Sequence, residues 1–134
     1  MMTEYNVKNL IKECVNDDSI KYYVGKLKTK EKHSIGIYLD GYKDERLGIK
    51  SNTIYIRVLV HWNESPGQTL LNTIEIKKKL DKLSNKIWND RNYSIDGYEV
   101  TRLKVGTPID VDSDENDIYE RVLHLEIDFN NKEM

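Results

Sequence analysis

The chain opens with apolar side chains at helical spacing. Positions 7, 10, 11, 14 and 15 fall at i, i+3, i+4, i+7 and i+8, which places them on one stripe of a helix. Thr3 is a suitable N-cap, and the polar run that follows Val15 is typical of a helix end. We therefore predict a short amphipathic helix at the N-terminus.

Three segments with strand character follow this helix. Residues 20–27 are rich in tyrosine and valine, and Ile35, Ile37 and Leu39 alternate with other residues as they do in a half-buried strand. The clearest strand is Thr53–Trp62, because every second side chain in it is apolar. Its opposite face carries Tyr55, Arg57, Leu59 and His61.

A long helix is predicted directly after Thr53–Trp62. Ser65 can cap it, Pro66 suits its first position, and Gln68 completes a capping box. An apolar stripe then extends to the predicted helix end near Trp88 and consists of Thr73, Ile76, Leu80, Leu83 and Ile87. We expect this stripe to cover the apolar face of the preceding strand.

Two further strands are predicted in the C-terminal part. Tyr98–Val105 forms the first, although Arg102 and Lys104 leave its buried face undecided, and the sequence Gly-Thr-Pro at 106–108 interrupts it. Residues 110–117 are predicted to be an acidic loop, and residues 118–129 alternate as a final strand with one wet face.

The order of these elements predicts an α+β fold of one domain spanning residues 1–134. Helices and strands do not alternate regularly, so we expect a mainly antiparallel β-sheet. A long helix and a short N-terminal helix should pack on one face of it. The length also fits a single hydrophobic core.

Composition argues against several classes of function. Charged residues make up 33% and hydrophobic residues 38%, which is polar but not typical of a disordered chain. The net charge of −2 leaves no basic excess for gripping a nucleic-acid backbone, so no sequence-specific nucleic-acid partner is expected. The lysine run at 77–79 is interleaved with acids and is interpreted as a solvated helix face.

The compartment can be judged from the cysteine count and the hydrophobic runs. Cys14 is the only cysteine, so no internal disulfide can form, and its place on the apolar stripe favours a buried hydrophobe over a nucleophile. Polar residues interrupt the N-terminus, and no run approaches the length that spans a bilayer. We expect a cytosolic protein without a membrane partner.

Residues that bind metals or catalyse reactions are not arranged here as such sites require. The three histidines stand in different predicted elements without zinc-site spacing. Asp110, Asp112 and Asp114 resemble the start of a calcium loop, but position six is Glu115 and position twelve is Arg121 instead of the glycine and glutamate required. We expect a solvated or interface loop there, and no metal, cofactor or catalytic residue.

The order of elements resembles that of tail-terminator and minor capsid proteins of tailed bacteriophages. The resemblance rests on the strand around Arg57, on the helix that starts near Pro66, and on the sequence VGTPID at 105–110 with the strand that follows. It covers most of the chain in element order but departs from the family pattern between residues 39 and 53. It implies a structural protein that closes into a hexameric ring at the head-proximal end of a tail tube and stops tube growth.

The same resemblance implies partners and a location. The ring would contact the tail tube protein, and possible further contacts are the sheath and the head connector; it would be assembled in the bacterial cytoplasm and then reside in a virion or tail-like particle. A heterologous interface needs two surfaces per subunit, and a wet sheet face suits it. Nine residues are candidates for a subunit or partner interface: Tyr42, Arg46, Arg57, Asp110, Asp112, Asp114, Glu120, Arg121 and Glu126.

Three alternatives stay open from sequence. The chain could be another neck or head-completion protein, or a small calcium-binding module that uses the acidic run. An enzyme with an unrecognised site is the third. Tyrosine is frequent, nine residues against one phenylalanine, and suits either an interface or the rim of a core.

Overall fold

The computed structural model describes residues 2–25, 33–43, 52–62, 66–90, 93–111 and 119–131. These residues form two helices and seven strands in one sheet. In chain order the elements are α1 Glu4–Val15, β1 Lys21–Val24, β2 Ser34–Tyr42, β3 Thr53–Trp62, α2 Pro66–Asp90, β4 Tyr93–Ile95, β5 Tyr98–Val105, β6 Ile109–Val111 and β7 Tyr119–Asn131.

The strands lie in the order β1-β2-β3-β7-β5-β4, and β6 pairs with β7 beyond the end of β5. Every described pairing is antiparallel except the parallel pairing of β1 with β2. The predicted α+β class is therefore confirmed, with a short N-terminal helix and a longer second helix. The strand predicted after residue 20 and the strands β2, β3, β5 and β7 are present.

Helix α1 begins and ends where its sequence predicts. The backbone N–H of Thr3 donates to the Asn6 side-chain oxygen at 2.8 Å, and Asn16 takes the left-handed conformation that closes the last turn. Four apolar residues of the predicted stripe are buried in the core: Val7, Leu10, Ile11 and Val15. The helix is thus held to the sheet by one apolar face.

Helix α2 buries the predicted stripe from Thr73 to Ile87, and Leu80 at its centre is fully buried. The position of this helix differs from expectation, because it packs mainly on β5 and β7 and less on β3. Helix α1 packs against β1 and β2, so the two helices divide one face of the sheet between them. Helix α2 therefore covers the apolar face of β5 and β7 more than that of β3, the strand it was expected to cover.

Strands β3 and β7 supply the centre of the core. Ile54, Ile56, Val58 and Val60 on β3 are at most 1% exposed, and their partners on β7 include Leu123, Leu125 and Ile127. Burying a side chain of this size contributes roughly 1.5–3 kcal/mol. The alternation predicted for both strands is confirmed on this face.

Two β-bulges change which face a side chain occupies. The pairing of β2 with β3 skips Asp40, and the pairing of β5 with β7 skips Thr101. An extra residue in one strand reverses the alternation beyond it. Tyr42 is therefore turned to the core beside Ile54, and Arg102 is turned away from it.

Two short strands were not predicted. Strand β4 forms a hairpin with β5 through Asp96 and Gly97, which both have positive φ and form a two-residue turn. Strand β6 occupies residues 109–111, where part of the acidic loop was expected. Gly106 separates β5 from β6 and donates its N–H to the His124 carbonyl at 2.9 Å, so β5 and β6 run along the same side of β7.

Candidate functional site

Neither described helix covers the second face of the sheet, which carries charged and aromatic side chains from four strands. We call this surface the open face. Its members are Tyr38 and Asp40 from β2, Tyr55 and Arg57 from β3, Arg102 and Lys104 from β5, and His124, Glu126 and Asp128 from β7. The alternation of side chains in paired strands places these residues opposite the hydrophobic core.

Arg57 lies at the centre of one cluster on the open face. Its Nε is 3.3 Å from Asp40 Oδ1, and its guanidinium lies 5.2 Å from the centre of the Tyr38 ring. His124 Nδ1 is 3.8 Å from the other oxygen of the Asp40 carboxylate. The Arg57 side chain stays 47% exposed, so this ion pair adds little to stability and leaves the guanidinium accessible to a partner.

Arg102 organises a second cluster on the neighbouring strands. Its guanidinium lies 3.1 Å from a Glu126 oxygen and 3.6 Å from an Asp128 oxygen. The Thr53 hydroxyl donates to Asp128 at 2.6 Å, which fixes that carboxylate. Desolvation and a hydrogen bond with Glu126 raise the pKa of the Tyr55 phenol above its ordinary value.

The nine residues named above carry opposite charges in equal number. Three carboxylates stand against two arginines and one lysine, and a shallow hollow of about 220 Å³ lies among Asp40, Tyr55, Lys104 and His124. Such an arrangement can recognise a partner with charges of both signs, and it offers no excess charge to a polyanion. Within the described ranges no group of three or more His, Cys, Asp or Glu side chains is arranged to hold a metal ion.

One end of this face is buried, which the sequence did not predict. His61 is 1% exposed and Ser34, its partner on β2, is fully buried, although His61 lies on the face of β3 opposite the core, as its position in the alternation predicts. His61 and His124 do not lie opposite each other: His61 pairs with Glu120, and His124 pairs with Arg57. The exposed charges therefore concentrate at the opposite end of the face.

Two of the predicted interface residues come together on the open face. Arg57 lies on β3 opposite His124, and Glu126 lies two residues further along β7, opposite Tyr55. Arg121, another of the predicted interface residues, does not lie on the open face. It lies opposite Val60, whose side chain belongs to the core face.

Tyr42, one of the predicted interface residues, makes an internal contact. Its hydroxyl donates to the Met2 carbonyl at 2.7 Å, and its ring packs against the core, because the bulge at Asp40 turns it inward. Asp110 and Glu120 lie on β6 and β7, where they pair with Arg121 and Val111 respectively. Arg46, Asp112 and Asp114 lie outside the described residues, as does most of the acidic loop.

Asp40, Arg102 and His124 belong to the open face but were not among the predicted site residues. His124 was recognisable as a polar alternate of the last strand. Asp40 and Arg102 stand at or just after a bulge, where the period of two fails. Only the cross-strand register reveals that they meet Arg57 and Glu126.

Comparisons with known proteins do not assign the chain to a family. Neither the protein-family models nor the curated proteins contain a match to this sequence. Of the described helices, neither combines the length and the apolar character needed to cross a bilayer.

Proposed function

We propose that this protein is a structural subunit that assembles into a ring and caps the head-proximal end of a phage or phage-like tail tube. The observation that supports the proposal is the difference between the two faces of the sheet. Both helices seal one face, while the other presents a charge-balanced set of exposed side chains around Arg57 and Glu126. A surface of this kind suits contact with a protein neighbour.

The proposal also rests on the element order that resembles tail terminators. The helix that starts at Pro66 follows a strand with Arg57 at its middle, and β5, the break at Gly106 and β7 follow in the order that the resemblance implies. On this proposal the open face contacts other components of the particle, namely the tail tube protein and the head connector. The ring itself is built from contacts between copies of the chain.

Deleting the gene in the bacterium or prophage that encodes the chain tests this function directly. We expect tails of uncontrolled length that fail to join heads, as judged by negative-stain microscopy, and restoration by the wild-type gene. Tails of normal length that join heads without the protein would rule the function out.

A charge reversal in the same complementation assay tests the role of the open face. Arg57→Glu is expected to reduce head-competent tails by about ten-fold or more, since one reversed interface charge costs at least about 1.4 kcal/mol. Lys78→Glu is the matched control, because Lys78 is 69% exposed on α2 and away from this face. Equal activity of the two variants would show that the open face is not the contact surface.

A further inference from the structure

The edge of the sheet at β5 has an unfilled strand position. Strand β4 is three residues long and pairs only with Tyr98–Val100 of β5. Among the described residues, no strand pairs with the outer side of β5 from Thr101 to Val105. Such an edge offers backbone hydrogen-bonding groups to another strand.

A cleft marks this position, and Trp88 is one of the residues that line it. The cleft has a volume of about 440 Å³ and lies between Ser84, Asn85 and Trp88 of α2 and Leu103 to Val105 of β5. Trp88 is 66% exposed, which is unusual for a large apolar side chain such as tryptophan. A strand added beside β5 would enter this cleft and contact its lining residues, the Trp88 indole among them.

The hydrogen-bond register shows which β5 residues point outward. Gly106 donates to the His124 carbonyl, so Gly106, Lys104 and Arg102 direct their backbone groups towards β7. Leu103 and Val105 therefore direct their backbone N–H and C=O groups away from β7 and towards the cleft. The Ser84 hydroxyl on α2 donates to the Leu103 carbonyl, which agrees with this direction and occupies one of the two lone pairs of that oxygen. An added strand would use the second lone pair.

The opposite edge of the sheet carries a complementary strand. Lys21 donates its backbone N–H to the carbonyl of His33, directly before β2, at 3.0 Å, and Gly25 donates to the Ile37 carbonyl of β2 at 2.9 Å. Tyr22 and Val24 therefore direct their backbone groups outward. The side chains of Tyr22 and Val24 lie on the core face of the sheet, as do those of Leu103 and Val105. The two edges thus match in hydrogen-bonding phase and in the face of their apolar side chains.

Strand directions match as well. Strand β1 is parallel to β2, and alternation through β3 and β7 makes β5 antiparallel to β1. If a second sheet continues the first in the same orientation, its β1 meets β5 as an antiparallel partner. Pairing β5 with β5 of another copy would instead bring Arg102 and Lys104 of one chain close to the same two residues of the other chain. Like charges across paired strands are unfavourable.

We propose that β1 of a second copy pairs antiparallel with β5 in the cleft that Trp88 lines. In this register Tyr22 lies opposite Val105, and Val24 lies opposite Leu103. The contact is heterologous, so repeating it closes a ring or extends a fibre. This inference rests on the proposed function, since it supplies the contact between ring subunits.

Disulfide trapping tests the pairing. In this register Lys104 stands opposite Tyr23 of the second copy at a non-hydrogen-bonded position, where Cα atoms lie about 4.5 Å apart and within disulfide reach. The double variant Tyr23→Cys/Lys104→Cys is made in a Cys14→Ser background, and each single variant serves as a control. The double variant should give an oxidised ladder of multimers on a non-reducing gel, and neither single variant should.

Other results of the trapping experiment would contradict either the strand pairing or the proposed ring. Dimers from the Lys104→Cys variant alone would mean symmetric β5 pairing and would overturn the inference. Wild-type multimers in light scattering with no ladder from a folded double variant would also overturn it, while leaving the proposed ring function intact. A wild-type chain that stays monomeric would overturn the ring function itself.

A second measurement keeps the test valid if the cysteine variants fail to fold. Trp88→Ala should raise the dissociation constant for assembly about ten-fold or more. The melting temperature of the monomer, measured at a concentration below that of assembly, should not fall. Leu71→Ala is the matched control, since Leu71 is 60% exposed on the same helix and lies outside the cleft. Equal assembly of the two variants would contradict the role of the cleft.

Discussion

Individual side chains in this protein divide sharply between structural and exposed roles. Cys14 is half-buried between α1 and α2, where its thiol lies 3.2 Å from the Lys79 carbonyl as a hydrogen-bond donor. Lys79 in turn donates to the Val15 carbonyl at the end of α1. These contacts join the two helices, and they explain why the single cysteine is a packing residue.

The Cys14 thiol is expected to be unreactive in the folded protein. Burial raises its pKa from 9.0 to about 11, so the thiolate fraction at neutral pH falls about 100-fold. Disulfide-exchange reagents should label native protein at least that much more slowly than protein in denaturant, as followed by the absorbance of the released thiol. Equal labelling rates would show that the site is open.

At the scale of elements, the long periodic segments were predictable and the short ones were not. Both helices and strands β3, β5 and β7 carry enough repeats for their period to be evident. Strand β4 has only three residues, and its signal was the Asp-Gly pair at 96–97, which is typical of a tight hairpin. The contact set of the open face was not predictable, because the bulges at Asp40 and Thr101 shift the phase of two strands.

Leu80 tests how strongly α2 is held to the sheet. It is fully buried in the stripe, so Leu80→Ala should lower the free energy of unfolding by about 2–5 kcal/mol through lost burial and a cavity. Leu71→Ala on the exposed side of α2 should change it by no more than about 0.5 kcal/mol. Denaturant titration measures both, and similar losses would show that the stripe does not carry the packing.

We predict that the contact between the β4–β5 turn and α1 stabilises the folded protein in a pH-dependent manner. Asp96 accepts hydrogen bonds from the Asn6 and Asn9 side chains at 3.1 Å and 2.8 Å, and these bonds hold the pKa of its carboxyl below 3.8. A lowered folded-state pKa means that this stabilisation is complete above the unfolded-state value and is lost as pH falls through the folded-state value.

Asp96→Ala should therefore destabilise the protein at neutral pH, by about 1 kcal/mol, since it also removes a residue suited to positive φ. The loss relative to wild type should shrink below about pH 4. Asp96→Asn is the matched control, because asparagine keeps the turn and removes only the charge. A difference from wild type that is independent of pH would mean that the carboxylate contributes nothing as an anion.

At the scale of the whole molecule, the two described helices cover one face of the sheet and leave its other face uncovered. Its helix-covered face holds the core, its open face displays balanced charges, and its β1 and β5 edges match each other in phase and direction. In the assembly proposed above, each copy would provide both halves of a heterologous contact, one at its β1 edge and one at its β5 edge.

Native mass spectrometry of the purified chain over a wide concentration range tests this account most directly. The account predicts a discrete closed multimer that grows with concentration at the expense of the monomer. A chain that remains monomeric at every concentration, or that forms only symmetric dimers, would contradict it.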